Sequence, residues 1–548
     1  MFNLKSIYFY FLATKINLLN ILKLIYFKTS YYNQTLSSIT PKKFYFFPNP
    51  FLLSSLVGHK NFLFNVANID TNIFWKEKII KKEEIKLHEF LWLNLINRKN
   101  DNNTIKKIIN IWIYKNSKYK SLIWDNSVLS KRIISWILNA EIILNNTEFL
   151  FKNDFLNSII QQTNHLKKNY KYEHDYTKKL EMLCAILLTG LVFKEYSENY
   201  NFAIKDLEKL SEKFFDEDGF PLNRNPNDLL IFSKFLIIIR ECINDGQEYI
   251  PEFLDKIIDN SLCCLKSIIT PKKQLPLFNG AVEVNVEEFI EYIESLNYKF
   301  KKTKTNVGKL QILNNKKNQI FFDVGNPPKK KFSSNYQSGP LSFEYYSNNE
   351  KIITNCGFGL NISKKAMLLS RLTSAQSGLT INDTSISVFE RNRFLNLAFG
   401  NLTKNNFKIN NFQFYDDMKE VFASASHDAY FKRFNCTHKR EIKINKIDNS
   451  IIGLDELSSE NKNNNLNFNI RFHLYPGISA IKTMGGNTVL INIKKNKSLV
   501  FRSENYNLTV EKSIFLGRNQ ILNNFCILIS GVANDKNIKI NWELKKGI

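Results

Sequence analysis

The stretch NYKFKKTKTNVGKLQILNNKKNQIFFDVG, residues 297–325, marks a change from one kind of secondary structure to another. Its first part, up to residue 310, is rich in lysine and has no apolar periodicity, as is typical of a linker. Its second part alternates apolar and polar residues, as a half-buried β-strand does. The stretch therefore predicts a domain boundary near residue 300.

The chain before this boundary has the pattern of helices. From about residue 85 to residue 295, apolar residues recur at helical spacing, as in LEMLCAILLTGLVFKEY (180–196). Breaks that contain Pro and Gly, such as DEDGFPLNRNPND (216–228), end one helix before the next begins. We therefore expect a helical domain over residues 85–300, preceded by an extension over residues 1–84.

The chain after the boundary has the pattern of strands. KREIKINKIDNSIIGLDEL (439–457) and NTVLINIKKNKSLVFRSE (487–504) alternate apolar and polar residues, with Asn, Gly and Lys at the turns. Such short, alternating segments favour antiparallel sheets with one face buried. We expect an antiparallel β-sandwich over residues 301–548, so that the whole chain is a multidomain α+β protein.

Composition limits the functions that the chain can have. A length of 548 residues with 44% hydrophobic residues is enough for a large core, and the net charge of +25 suits a polyanionic partner. The abundance of Lys, Asn, Ile, Phe and Tyr also matches A/T-rich codons, so the charge permits such a partner without requiring one. We expect no nucleic-acid partner, because no basic motif interleaved with aromatic residues has the spacing of a binding module. The seven cysteines have no CxxC pairing or zinc spacing.

The N-terminal segment MFNLKSIYFYFLATKINLLNILKLIYFKTSYY is apolar but is interrupted by Lys5, Lys15, Lys23 and Lys28. No uncharged run approaches the ~20 residues that a spanning helix needs. The segment predicts an amphipathic helix that lies on the domain or makes peripheral contact with a membrane surface. A cleaved signal peptide is the alternative.

Several fragments, taken in order, resemble the heparinase II/III-like family, in its bacterial branch. In the helical half these are WDNSVLSKRIISWI (124–137), DGFPLNRNP (218–226) and LPLFNGAVE (275–283). In the second half they include FFDVGNPP (321–328), LSFEYYSNNEKIITNCG (341–357) and SRLTSAQSGLTINDTS (370–385). The resemblance implies an incomplete α/α toroid followed by an antiparallel β-sandwich, with an active cleft between them.

The resemblance also implies a chemistry, since characterised relatives are lyases that cleave uronic-acid-containing polysaccharides, such as glycosaminoglycans, by β-elimination. This reaction needs donors that neutralise the uronate carboxylate, a base that removes the C5 proton and an acid that protonates the leaving oxygen. It needs no metal or organic cofactor. The family's usual place is the cell envelope or periplasm, whereas the lack of a clear signal peptide leaves the cytoplasm as the alternative.

The residues that carry this chemistry in the family are altered here. The family motif H-x-G-x-L-S-F-E places a histidine at Gln337, and the family motif A-H-S-T places a second one at Gln376. A glutamine amide can orient a sugar but cannot exchange a proton near neutral pH. Tyr336, beside the first position, is the remaining candidate acid or base, and its alternative role is that of an ordinary structural tyrosine.

Candidate substrate contacts lie in two loops and one strand. Arg224 and Asn225 together are suited to hold a uronate carboxylate, and Asn279 is expected to border the same cleft. Asn225 has an equally good alternative role as the N-cap of a helix that begins at Pro226. His427 is a candidate cleft residue, with a buried structural histidine as its alternative.

The family's metal positions are also altered. Some relatives bind a metal through an H-x-H and a D-x-G turn, which read Gln337-x-Gly339 and Asn355-Cys356-Gly357 here, so we expect no metal. Two functions remain open. The chain either binds and cleaves an acidic polysaccharide as a lyase, or it is a catalytically degenerate glycan-binding or cell-envelope protein of the same fold.

Overall fold

The computed structural model describes residues 4–57, 81–96, 102–299, 303–404, 407–460, 465–493 and 497–547. The chain divides into two compact units. The first takes Met1–Phe215, Leu230–Asn260 and Glu288–Lys299, and the second takes Asp216–Leu229, Ser261–Glu287 and Phe300–Ile548. The domain limits expected from the sequence, at residues 84 and 300, and the cleft expected between the domains stay predictions.

The first unit is helical. Its helices are α1 (Leu4–Phe27), α2 (Ser30–Leu36), α3 (Lys81–Glu89), α4 (Asn102–Asn116), α5 (Asn126–Leu138), α6 (Ala140–Leu144), α7 (Phe149–Asn169), α8 (Tyr176–Val192) and α9 (Ser197–Phe214). Three further helices have residues in both units: α10 (Pro226–Asp245), α11 (Glu252–Ile268) and α12 (Glu287–Ser295). Polar caps start several of them, as where the Asp125 carboxylate accepts the Ser127 backbone N–H at the start of α5. The predicted helical character is confirmed.

A buried arginine organises the core of the helical unit. The Arg132 guanidinium lies 4.2 Å from the ring centroid of Trp112 and donates to the Gln162 side-chain oxygen at 2.7 Å. It also donates to the backbone carbonyls of His88 and Ile123. Because these hydrogen bonds satisfy the group inside the protein, Arg132 holds α5 against its neighbours.

The N-terminal helix α1 forms as expected, but its apolar side chains face outward. Tyr8, Phe11 and Ile25 are 65%, 68% and 59% exposed. Residues Ile7–Phe27 are long and apolar enough to cross a membrane, as judged by length and composition, and only 6% of that apolar window is buried. A signal sequence meets the same criterion near an N-terminus, whereas a core helix of a soluble protein would be mostly buried.

The second unit is built from antiparallel strands. They are β1 (Asn306–Val307), β2 (Leu310–Asn314), β3 (Asn318–Asp323), β4 (Phe343–Ser347), β5 (Glu350–Ile353), β6 (Leu379–Ile381), β7 (Val388–Phe389), β8 (Thr403–Lys404), β9 (Ile409–Asp416), β10 (Glu420–His427), β11 (Cys436–Asn445), β12 (Ile451–Ser459), β13 (Leu466–His473), β14 (Ser479–Lys482), β15 (Thr488–Asn492), β16 (Ser498–Ser503), β17 (Leu508–Phe515), β18 (Leu522–Ala533) and β19 (Asn537–Lys546). Short helices α13 (Lys364–Ser370), α14 (Arg393–Phe399) and α15 (Phe431–Phe434) interrupt them.

The strands of the second unit form three larger sheets and a small ribbon. One sheet has the order β1-β2-β3-β4-β5, the second β14-β15-β16-β19-β12-β11-β10-β9, and the third β17-β18-β13-β6, while β7 pairs with β8. Every second residue of β11 is buried, as the sequence alternation predicts.

One apolar cluster takes side chains from all three larger sheets. Phe343 of β4 stacks on Trp542 of β19 with ring centroids 5.6 Å apart, and Phe472 of β13 meets the same indole at 5.0 Å. All three side chains are almost completely buried. The sheets therefore pack their inner faces on a common core, which confirms the antiparallel β architecture of this half.

Candidate functional site

Gln337 lies in the segment between β3 and β4 and is 2% exposed. Its side-chain oxygen accepts the backbone N–H of Gly280 at 3.0 Å. Its amide nitrogen donates to the backbone carbonyls of Gly357 and Ser370, at 3.2 and 2.8 Å. One amide thus connects three chain segments that are distant in sequence.

Gln376 reaches the same carbonyl from another direction. Its amide nitrogen donates to the Ser370 carbonyl at 2.8 Å. Ser370 is the last residue of α13, so its carbonyl is one that an α-helix leaves without an intrahelical partner. A Cβ placed on Gly339 would lie 2.9 Å from Gln376 Cγ, so a glycine is needed where the Gln337 segment passes Gln376. The two altered family positions therefore meet at one helix end.

Arg224 is buried and fully engaged within the second unit. Its guanidinium forms an ion pair with Asp323 at the end of β3, and both side chains are nearly inaccessible. Burial raises the pKa of Asp323, an effect that the Arg224 cation opposes. The remaining contacts of the guanidinium, at 3.0 to 3.4 Å, are with the backbone carbonyls of Gly308, Lys309, Gly325 and Asn326.

These contacts bear on the expected uronate contact at Arg224. A carboxylate ligand needs guanidinium donors that point into an accessible space. Those of Arg224 are directed at Asp323 and at backbone carbonyls instead. In this conformation Arg224 ties β3 to the 216–229 segment, and contact with a glycan at Arg224 stays a prediction.

Asn225 and Asn279 complete a connection from Arg224 to Gln337. The Asn225 side-chain oxygen accepts the Asn227 backbone N–H at 2.9 Å, which is the N-cap role that the sequence left as an alternative. The Asn279 amide donates to the Arg224 carbonyl at 3.2 Å, and the next residue, Gly280, donates to Gln337. The structure thus brings Arg224, Asn225, Asn279, Gln337 and Gln376 into one contiguous cluster, which we call the amide cluster.

The backbone is strained at one member of the amide cluster and at one residue close to it. Arg224 has a φ of 61°, and Leu341, which follows the Gln337 segment, has a φ of 59°. Residues with a side chain seldom occupy this left-handed region, at a cost of order 1–3 kcal/mol each, and they persist where surrounding contacts hold them. The ion pair at Arg224 provides such a contact.

Tyr336 is also buried beside this cluster. Its side chain is 1% exposed, and its hydroxyl has no hydrogen-bond partner among the described residues. Burial raises the pKa of Tyr336 well above that of an ordinary tyrosine, and the nearby Asp323 carboxylate adds to the effect. Both factors keep the phenol protonated near neutral pH.

His427 belongs to a buried polar network inside the sandwich. Its Nε2 lies 3.2 Å from Nδ1 of His438, whose Nε2 lies 2.7 Å from an Asp455 oxygen. The Arg440 and Trp542 side chains donate to the same carboxylate at 2.7 to 3.1 Å. Burial lowers the pKa of His427 far below its usual value. His427 is 1% exposed in this network, and its role as a glycan contact stays a prediction.

Sequence reasoning missed the part that Arg440 plays beside the amide cluster. One guanidinium nitrogen of Arg440 donates to the carbonyls of Leu341 and Ser377, at 2.8 and 3.0 Å. Leu341 follows the Gln337 segment and Ser377 follows Gln376, so Arg440 holds both segments. The sequence did contain a signal for this role. The alternation of β11 places Arg440 at an inward position, where a buried charge requires a partner.

The altered metal positions of the family do not fit a metal ion. The Asn355 side chain accepts the Ser377 backbone N–H at 3.0 Å and donates to the Leu277 carbonyl at 3.2 Å. Burial raises the pKa of the Cys356 thiol to about 12. Within the described ranges, no group of three or more His, Cys, Asp or Glu side chains is arranged to hold a metal ion.

A helical region followed by antiparallel sheets on a common core is the architecture of a protein with a polysaccharide-lyase fold. The chain belongs to the heparinase II/III family. The family model "Heparinase II/III N-terminus" matches residues 52–306, and "Heparinase II/III-like, C-terminal" matches residues 301–543. This confirms the resemblance found in the sequence.

Solved structures of heparin-related lyases share the fold. A mutant of heparan sulfate lyase HepC from Pedobacter heparinus superposes with a TM-score of 0.65 at 15% identity, covering 86% of this chain and 78% of that chain. A heparinase III structure gives a TM-score of 0.66 at 13% identity, covering 85% and 76%. The expected fold class, an α/α toroid followed by an antiparallel β-sandwich, is therefore confirmed.

The chain is also similar to a protein that is not named as a lyase. The "FtsZ-localized protein C" of Caulobacter vibrioides is 22% identical over 482 residues, which cover 84% of this chain and 81% of that protein. The similarity therefore extends over both the helical and the sheet regions.

Proposed function

We propose that this chain binds a uronic-acid-containing acidic polysaccharide and does not cleave it by β-elimination. The observation that carries the proposal is the contact of Gln337 and Gln376 with one carbonyl, that of Ser370. The amides at the two altered family positions are committed to the protein's own backbone. They neither transfer a proton nor face a ligand in this conformation.

Five buried histidines of the described residues are poorly suited to this chemistry. A general base must be accessible and must titrate near the working pH. Burial lowers the pKa of every histidine for which a shift is resolved, namely His88, His165, His427, His438 and His473. Each of the five is also inaccessible.

The alternative function is a lyase that uses Tyr336 as its acid or base. A tyrosine in that role must lose and regain its proton in contact with the sugar. The burial of Tyr336 and its raised pKa both oppose this. We therefore rank the binding function above the lyase function.

Binding of a polyanion needs exposed cations, and a group of them lies close to the amide cluster. Lys329, Lys330 and Lys331 form an exposed run shortly before Gln337. Arg391 and Arg393 are exposed at the start of α14. We call these five residues the basic patch, and we propose that they contact the sulfate or carboxylate groups of the glycan.

Contacts within the second unit place the two parts of the basic patch near each other. The Arg371 guanidinium donates to the carbonyls of Ser333 and Asn401, each within 2.9 Å. The Ser333 hydroxyl accepts the Thr403 N–H at 3.0 Å, and Thr403 pairs with Phe389 between β7 and β8. Ser333 lies two residues after Lys331, and Phe389 lies two residues before Arg391. Both parts of the basic patch are therefore close in the chain to residues that Arg371 and Thr403 hold together.

A matched pair of double variants tests this proposal. Lys329→Ala/Lys331→Ala should weaken retention in affinity gels that contain heparan sulfate or chondroitin sulfate. Lys316→Ala/Lys317→Ala removes two exposed lysines just before the start of β3, outside the basic patch, and should leave retention unchanged. Equal losses in both variants would indicate nonspecific attraction by net charge, and a wild-type protein that these gels do not retain would contradict binding itself.

We further propose that the protein acts at the cell envelope, with the cytoplasm as the alternative. The polysaccharide substrates of the family support this location. The name of the Caulobacter relative associates that protein with FtsZ and says nothing of its substrate. Fractionation of cells that produce the full chain tests the location. Recovery entirely in the soluble cytoplasmic fraction would contradict it.

A further inference from the structure

Helix α1 has an outward face that is mostly apolar, with Thr14 and Lys15 as exposed polar residues on it. At 100° per residue, its exposed large apolar side chains cover roughly 220° of the helix circumference. Phe11, Leu18, Leu22 and Ile25 lie near the middle of this face and are 52% to 68% exposed. A surface helix of a soluble protein normally presents its polar face to water, so the orientation of α1 is reversed.

The opposite face of α1 packs on the helical unit. Ala13 and Phe27 are buried on that side. The Lys23 ammonium lies 4.6 Å from the ring centroid of Tyr172, and the Phe27 ring lies 4.6 Å from that of Tyr32. The helix is therefore fixed to the protein along one side, and its wide apolar side requires an apolar cover from outside.

The charge around α1 indicates which kind of cover fits. The first 69 residues contain seven lysines and neither Asp nor Glu. Basic residues beside an apolar helix face favour the surface of a membrane that contains anionic lipids. A second copy of the chain fits less well, because a two-fold contact would bring two positively charged segments together.

We infer that α1 is a monotopic membrane anchor, which lies in the plane of an anionic bilayer with its outward face among the acyl chains. Packing on the inner face and Lys15 in the middle of the helix distinguish this arrangement from a helix that spans the bilayer. The inference is independent of the glycan-binding function, because it rests on the other compact unit.

Vesicle flotation of the full chain tests the inference. Wild-type protein should float with vesicles of phosphatidylcholine and phosphatidylglycerol, and more weakly with phosphatidylcholine alone. The quadruple variant Phe11→Gln, Leu18→Gln, Leu22→Gln and Ile25→Gln should lose at least about 100-fold in partitioning, because each glutamine removes a large buried apolar area. The control replaces four exposed apolar residues elsewhere with Gln and should partition as wild type; these are Leu150, Tyr249, Met418 and Ile447.

Four results would overturn the inference. The first is that wild-type protein stays unbound to both kinds of vesicle, and the second is that the quadruple variant binds as tightly as wild type. The third is that wild-type protein is an oligomer and the quadruple variant is a monomer, which would identify a second copy of the chain as the cover of the apolar face. The fourth is that the intact mass of protein purified from the producing cells lacks the N-terminal segment through residue 27, which would identify a removed signal sequence. Circular dichroism of the quadruple variant checks that it retains its fold.

Discussion

The side chains of Gln337 and Gln376 donate hydrogen bonds to a single acceptor, the carbonyl oxygen of Ser370, and both distances are 2.8 Å. The first amide also joins Gly280 and Gly357. The two glutamines that stand where the family resemblance leads us to expect histidines thus stabilise the end of α13 and the loops around it. The amide cluster is a structural element in this chain.

This role makes a restored histidine costly at position 337. A neutral imidazole has one donor and one acceptor, whereas Gln337 makes two donor contacts and one acceptor contact. Gln337→His should therefore lower the free energy of unfolding by about 1–3 kcal/mol, since one buried group loses its partner. Urea unfolding measures the change. Gln376→His is the control and should cost less, because Gln376 makes one short contact; equal costs would contradict the account.

Arg224 should behave as a structural residue. Arg224→Ala leaves Asp323 buried without its ion-pair partner and should destabilise the protein by about 3–5 kcal/mol. Arg502→Ala, which removes an exposed arginine from β16, should change stability by less than about 0.5 kcal/mol. Thermal unfolding distinguishes the two. A stable Arg224→Ala protein with reduced glycan affinity would restore Arg224 to the role of a carboxylate contact.

The buried network at Asp455 offers a second test of structural dependence. Arg440→Met removes two hydrogen bonds to the carboxylate and should cost about 3–5 kcal/mol in unfolding free energy. Trp542→Phe removes one neutral donor and some packing and should cost less. Chemical denaturation of both variants gives the comparison. The reverse order would show that the indole, not the guanidinium, holds the network.

The stability of the helical unit should depend on pH through Glu181. Burial raises the pKa of Glu181 to about 7, although the Lys131 cation opposes this. A carboxyl with a raised pKa in the folded state adds stability at low pH, and this contribution is lost as the pH rises through about 7. The contribution should fall by about 2 kcal/mol between roughly pH 5.5 and 8.

Glu181→Gln isolates this effect. The variant should lack the loss of stability between those two pH values, as measured by urea unfolding at each. Glu141→Gln changes an exposed carboxyl of the same unit and should keep the wild-type pH dependence. Parallel pH profiles for wild type and Glu181→Gln would show that Glu181 is ionised in the folded protein.

Periodicity predicted the fold because it reports which face of an element is buried. The run at 180–196 is a helix over most of its length, and the alternation at 439–457 gives β11 and β12. Periodicity does not tell whether an apolar face meets protein or another apolar environment. The apolar face of α1 was expected to pack inward or to lie on a membrane, and the structure turns it outward.

Several residues that the sequence selected for a site lie together in the structure, but their contacts were not predicted, and their role in a site stays a prediction. The resemblance selected Gln337, Gln376, Arg224 and Asn279, which the structure joins into one cluster. The partners that bury these residues come from far along the chain, as with Arg224 and Asp323, 99 residues apart. A pattern in one local segment carries no information about such a partner, so burial of the whole cluster could not be foreseen.

The central claim is binding without β-elimination, and ultraviolet absorbance of the unsaturated uronate product tests it most directly. Purified protein is incubated with heparan sulfate, chondroitin sulfate and other uronic-acid polysaccharides that the affinity gels show it to bind. The account predicts no rise in absorbance for wild type, or for the Gln337→His/Gln376→His double variant, over a time in which an active lyase completes the reaction. A rise at ordinary enzyme rates with wild-type protein, abolished by Tyr336→Phe, would contradict it.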